Sequence, residues 1–126
     1  MSAVVNSKGV YCPRAGCKSL VIRSKDAELV QRQPRVPLPA PGNNIETAES
    51  LVPDELREVA KDQPDNEWFW RLQDMMKFEN VGFSHEKDGV KFLSCADCDY
   101  APIGFHDKQS AVTEYLVAVN CVSYRD

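Results

Sequence analysis

The sequence lacks any apolar run approaching the roughly 18 residues that a membrane-spanning helix needs. Met1 to Lys8 carries no apolar core of a secretory signal. Histidine is scarce, at two residues, and there is no excess of base: 15 Lys and Arg stand against 19 Asp and Glu, a net charge of −4. A nucleic-acid-binding domain usually carries a basic footprint, so the charge argues against one competing class, a zinc-ribbon nucleic-acid module. No repeat is visible beyond two cysteine pairs. These absences predict a cytoplasmic or nuclear chain with no direct membrane insertion. Its 126 residues are enough for a single domain with one modest core.

Five cysteines are present: Cys12, Cys17, Cys95, Cys98 and Cys121. A reducing compartment disfavours a disulfide framework, and paired cysteines there more often hold a metal. Cys12-Pro-Arg-Ala-Gly-Cys17 is a C-x4-C unit and Cys95-Ala-Asp-Cys98 a C-x2-C unit. Either spacing lets a tight loop turn two thiolates toward one ion, with Gly16 supplying the positive φ such a turn often uses. Four thiolates close a tetrahedral shell, the pattern of a structural Zn2+ site. Two unrelated buried cysteine pairs are the plainer alternative. His85 and His106 are read as ordinary structural or exposed side chains, because four cysteines already suffice. Cys121 stands outside the quartet in an apolar run and reads as a small hydrophobe.

Composition divides the chain. Residues 24–67 hold six of the eight prolines and net −5, leaving +1 for the rest. Residues 34–44 are too proline-rich for a helix or central strand and read as an extended loop. Pro53, with Asp54 and Glu55 behind it, suits a helix start. Leu56, Val59 and Ala60 share a face, which predicts a short helix over 53–62. The Pro-rich acidic stretch at about 32–66 is thus an insertion. Gly9–Cys12, Ser19–Arg23 and Glu28–Gln31 read as strands. Asp88-Gly89 between Lys77–Phe83 and Val90–Cys95 signals a hairpin. Thr113–Tyr124 reads as one terminal strand, apolar on both faces. Trp68, Phe69 and Trp70 read as packing anchors, and Phe83 as a core aromatic.

Three segments together are distinctive: Asp74-Met-Met-Lys-Phe-Glu-Asn-Val-Gly-Phe83, Val90-Lys-Phe-Leu-Ser-Cys-Ala-Asp-Cys98 and Ala101-Pro-Ile-Gly-Phe-His106. They resemble the Mss/Dss family, the Rab-interacting guanine nucleotide-releasing factors. The resemblance covers residues 68–124 well and the first knuckle more loosely. It implies a mainly β fold of zinc-bound, twisted antiparallel sheets, the Mss4-like β-tent, with one zinc on Cys12, Cys17, Cys95 and Cys98. It also implies binding to nucleotide-free Rab GTPases, promotion of GDP release and a holding, chaperone-like role in vesicle transport, without covalent chemistry. Two departures are visible. The family's first knuckle is usually C-x2-C, and a tryptophan is expected where Phe105 precedes His106.

A release factor must favour the empty GTPase over the loaded one, since only differential affinity moves the equilibrium. Acidic groups can pair with the vacated phosphate-binding lysine, and apolar groups can cover displaced segments. Asp74, Met75, Phe78, Glu79, Asn80 and Asp97 are therefore the expected partner-facing residues of a monomer. The plainer readings are a core Phe78, an Asn80 serving a turn or bulge, and an Asp97 capping the knuckle. The competing function is a methionine sulfoxide reductase-like enzyme, whose nucleophile would have to be Cys121.

Overall fold

β-Branched and aromatic residues favour pleated, half-buried backbone, and in the computed structural model they form nine short strands among the described residues. Those residues are 4–33 and 67–125, apart from Ser7, Pro13, Ala15, Lys18, Ser110 and Val112. The Pro-rich loop at 34–44 and the helix expected over 53–62 lie outside them. The strands are β1 (Gly9–Tyr11), β2 (Leu20–Ile22), β3 (Glu28–Arg32), β4 (Glu67–Leu72), β5 (Val81–Lys87), β6 (Val90–Cys95), β7 (Gly104–Asp107), β8 (Tyr115–Ala118) and β9 (Ser123–Arg125). They form a three-stranded sheet ordered β2-β1-β9 and a six-stranded sheet ordered β3-β4-β8-β7-β6-β5. Every strand pairing among the described residues is antiparallel. Among the described residues no helix is long and apolar enough to cross a membrane.

The two sheets share a core of Val10, Val21, Ile22, Leu29, Trp70, Leu72, Leu93, Val117 and Val122, with Ile103 and Val119 between them. Strand alternation sends the neighbouring side chains to the other face of the large sheet. Phe69, Val90, Phe105, Leu116 and Ala118 form a second cluster there, joined by Cys121. This accounts for the run Trp68-Phe69-Trp70: adjacent rings anchor two clusters, with Phe69 edge-on to Phe105. Trp70 Nε1 donates to Tyr124 Oη (2.9 Å), and that hydroxyl donates to the Val119 carbonyl (2.6 Å), tying the sheets together.

The expected hairpin is present, with Lys87 opposite Val90 and a two-residue turn at Asp88 (φ 55°) and Gly89 (φ 81°). Three expectations are corrected. Residues 113–124 are not one strand: a 3-10 turn at Val119–Cys121 breaks the run, and β9 joins the small sheet. Apolar residues occur on both faces because the chain leaves one sheet for the other. Cys121 accordingly lies in that turn rather than in a strand. Phe83 is 41% exposed, not core. It sits on the edge strand β5 beside a register break between Phe83 and Glu86, with the Lys91 ammonium 4.8 Å over its ring.

Asn6 has a role the sequence did not signal. Buried at 1% exposure, it donates to the carbonyls of Lys8 and Arg23 (both 2.9 Å) and accepts from the Ala27 amide (2.9 Å). A buried amide meets its hydrogen-bond demand in this way, and this one fixes the turn between β2 and β3.

Candidate metal centre and partner-facing surface

The first knuckle joins β1 to β2, and the second follows β6. β6 ends at Cys95, where the Asp99 amide donates to the Cys95 carbonyl (2.8 Å) and the Cys95 amide to the Tyr100 carbonyl (2.9 Å). The left-handed residue of this loop is Asp99 (φ 63°). Gly16 does not adopt positive φ, contrary to the expectation. The longer C-x4-C loop closes instead through the Cys17 amide donating to the Arg14 carbonyl (3.0 Å).

These loops bring all four sulfurs within 4.8 Å of one another. The short contacts cross between knuckles: Cys12 to Cys98 at 3.6 Å and Cys17 to Cys95 at 3.5 Å. A tetrahedral ion with bonds of about 2.3 Å spaces its sulfurs about 3.8 Å apart, so the quartet fits a four-thiolate metal centre. Burial pushes the Cys12 and Cys95 thiols upward. A bound cation would offset the cost of ionising them. Cys17 is opposite in sense: the Ser19 hydroxyl, then the Ser19 backbone amide, bring its thiol down to about 7.

Ser19 is a second residue that the spacing argument missed. Its hydroxyl lies 3.3 Å from Cys17 Sγ and hydrogen-bonds the Asp97 carboxylate. A hydroxyl has one proton. Donated to Asp97, it leaves the Cys17 thiol as donor to Ser19 Oγ; donated to a Cys17 thiolate, it leaves the carboxylate. Arg14, Gly16, Cys17, Ser19, Asp97 and Cys98 line a cavity of about 430 Å³. Arg14 Nη1 donates to the Cys98 carbonyl across the two knuckles (3.2 Å).

The six residues expected to face a partner divide. Asp74, Glu79 and Asp97 are exposed, and Met75 is half-buried. The Asp74 carboxylate accepts from the Met76 amide (2.9 Å), capping a 3-10 turn at Met75–Lys77 that leaves Met76 88% exposed. Glu79 pairs with Arg23 at 2.5 Å. Phe78, at 8% exposure, is part of the core and edge-on to Tyr115. Asn80 turns inward: Nδ2 donates to the Leu20 carbonyl (2.8 Å), and its own carbonyl accepts from the Ala96 amide (2.9 Å). It thus clamps the end of the first knuckle to the second. His106 is stacked on Tyr115 and donates from Nδ1 to the Glu114 carbonyl (2.9 Å).

Comparisons with known proteins place this sequence among others. The model of the Mss4 protein family matches residues 5–123. This chain belongs to the Mss4 family. It is 37% identical over 102 residues to the "Guanine nucleotide exchange factor MSS4 homolog" of Drosophila melanogaster, covering 81% of this chain and 73% of that protein. It is 30% identical over 102 residues to the protein of the same description from Schizosaccharomyces pombe, covering 80% and 83%. Within this Mss4-family chain, Cys121 is buried, and its thiol is raised to about 11 by burial and then by the charge of Glu67. A thiol so raised is almost wholly protonated at neutral pH, so little of the reactive thiolate is present.

Proposed function

We propose that this chain is a guanine nucleotide exchange factor for Rab-family small GTPases. In this reading it binds the nucleotide-free form, promotes nucleotide release and stabilises the empty GTPase as a chaperone does, in vesicle transport. The observation that carries the proposal is the exchange-factor description of two relatives aligned over about four-fifths of the chain. The cysteine quartet holds one Zn2+, with a structural role, because four thiolates complete its tetrahedral shell. When bound, that ion supplies the crosslink between the two knuckles.

The residues of the chain would do the rest. A loaded GTPase holds its phosphates through a lysine, backbone amides and Mg2+. Asp97, exposed beside the cavity, can accept from a cation freed when the phosphates leave. Asp74 and Glu79 extend the acidic surface, and Met75 and Met76 offer a soft apolar contact. Phe78 and Asn80 support that surface from within: one ring fills the core, and one amide fixes the two knuckles. Asp97 contributes to release only so far as it binds the empty form better than the loaded one. The chain acts as a cytoplasmic monomer, one zinc-binding domain carrying the insertion at about 32–66. Neither nucleic acid nor a membrane is its direct partner.

The test is complex formation with a panel of purified Rab GTPases stripped of nucleotide, followed by addition of GDP or GTP. A stable complex that nucleotide dissolves supports the reading. Asp97→Ala should weaken capture about a hundredfold, as expected for losing a charge-assisted contact at an interface centre, with metal content unchanged. Absence of a complex with every Rab would sink it. The reductase reading stands or falls on Cys121→Ser, which should leave capture intact and for which no methionine sulfoxide reduction should be lost.

A further inference from the structure

We infer that Ser19 is a positioning residue for Asp97: its hydroxyl, anchored at the metal knuckle, holds the carboxylate at the edge of the cavity in one orientation for a cationic group of the partner. The inference rests on the proposed function for its partner and on geometry for the rest. Ser19 is fixed by its own backbone, since its carbonyl accepts from the Cys12 amide (2.9 Å). Asp97 follows Ala96, whose amide is bonded to Asn80, and Asn80 in turn is bonded to Leu20 next to Ser19. Both ends of the Ser19–Asp97 contact therefore sit one residue or less from clamped main chain. Asp97 is itself exposed. Without the hydroxyl its side chain would be free to sample the staggered χ1 wells that solvent permits. Held, it points one carboxylate oxygen at Ser19 and leaves the other for a lysine or arginine. A hydrogen bond to an ionised acceptor is strong enough to select that geometry. The same hydroxyl lies 3.3 Å from Cys17 Sγ; in the zinc-loaded chain the charge of that sulfur is taken up by the ion, which leaves the single hydroxyl proton for the Asp97 carboxylate.

The test uses Ser19→Ala, Ser19→Thr, Asp97→Ala and the Ser19→Ala/Asp97→Ala double variant, all loaded with zinc. Affinity is measured for the nucleotide-free Rab that the wild type captures. In parallel, Hα–Hβ coupling constants report the Asp97 rotamer in the unbound chain. Ser19→Ala should weaken capture roughly tenfold, the size expected from one charge-assisted hydrogen bond. Ser19→Thr should restore it, and Ser19→Ala should add nothing on the Asp97→Ala background. Asp97 couplings should show one rotamer in the wild type and an average in Ser19→Ala. Full affinity in Ser19→Ala, an equal loss on both backgrounds, or loss of zinc from Ser19→Ala would each overturn the inference. Should the wild type capture no Rab, the proposed function falls while the couplings still decide: unchanged couplings overturn the Ser19 role, and averaged ones uphold it.

Discussion

The knuckle end and the space between the two sheets are held by different physics. Between the sheets, Val10, Val21, Ile22, Leu93, Val117 and Val122 are fully removed from water. Such a core is stabilised by apolar area and depends on close packing. Around the sulfurs the neighbours are Arg14, Gly16, Ala96, Asp97 and Asp99, all exposed. There is little apolar area to hold that end. Its order comes from four thiols, the Asn80 clamp, the Ser19–Asp97 contact and short backbone bonds. The lesson is that the four-cysteine end, where the proposed partner surface lies, has a stability that is local and chemical rather than distributed over a core.

The largest test of this contrast is metal removal. Structural zinc contributes about 10–16 kcal/mol of apparent binding free energy at neutral pH, comparable to or larger than a small domain's whole stability. Cys95→Ser, or a strong chelator acting on the wild type, should release the metal and unfold the knuckle end. Metal content and hydrogen exchange at Ala96–Tyr100 would report it together. If exchange there stayed slow without metal, the contrast would be wrong. Next in size is Gly104→Ala. A Cβ at Gly104 would fall 1.8 Å from the Leu116 carbonyl oxygen, so β7 and β8 would have to part. Overpacking of this kind should cost about 3 kcal/mol in urea unfolding, with any metal bound at the four cysteines retained below the transition.

A smaller effect distinguishes thiols at the two places. Burial raises the Cys121 thiol to about 11. Its reactive thiolate fraction should therefore climb about tenfold per pH unit from pH 7 to 10, with no plateau. Alkylation of the zinc-loaded chain, followed by mass spectrometry, reads this directly. A plateau near pH 8 would mean Cys121 is not buried as described. The smallest change should be Phe83→Ala. The ring is exposed at the edge of the large sheet, so the loss should stay below about 1 kcal/mol. A larger drop in the melting curve would place Phe83 within the core after all.

Much of this arrangement was legible along the chain because its causes are local. Asp88-Gly89 announces a two-residue hairpin whatever surrounds it, and the two cysteine spacings announce a four-sulfur cluster that could hold a metal. The first three strands fell where their β-branched runs are. What could not be read depends on contacts remote in sequence. Whether Phe83 is covered depends on how far the small sheet reaches over the large one. The break at Val119–Cys121 reflects a change of sheet, which an apolar run does not mark. Phe78 and Asn80 looked like surface because acidic and methionine neighbours flank them. Ser19 and Asn6 are ordinary polar residues until their partners, 78 and 21 positions away, are brought beside them.

The pairing of β1 with both β2 and β9 also sets the order in which the molecule can be assembled. Cys12 and Cys17 emerge first during synthesis, and Cys95 follows 78 residues after Cys17. At roughly 5–20 residues per second, the half-site waits about 4–16 s for its complement. The small sheet waits longer still, because its third strand is Ser123–Arg125. Early two-cysteine binding would be weak and exchangeable, and closure would come late and nearly all at once. Refolding by dilution from denaturant into zinc should accordingly show one slow phase in which closure of the four-cysteine site and the pairing of β9 with β1 coincide, as expected for a fold dominated by distant contacts.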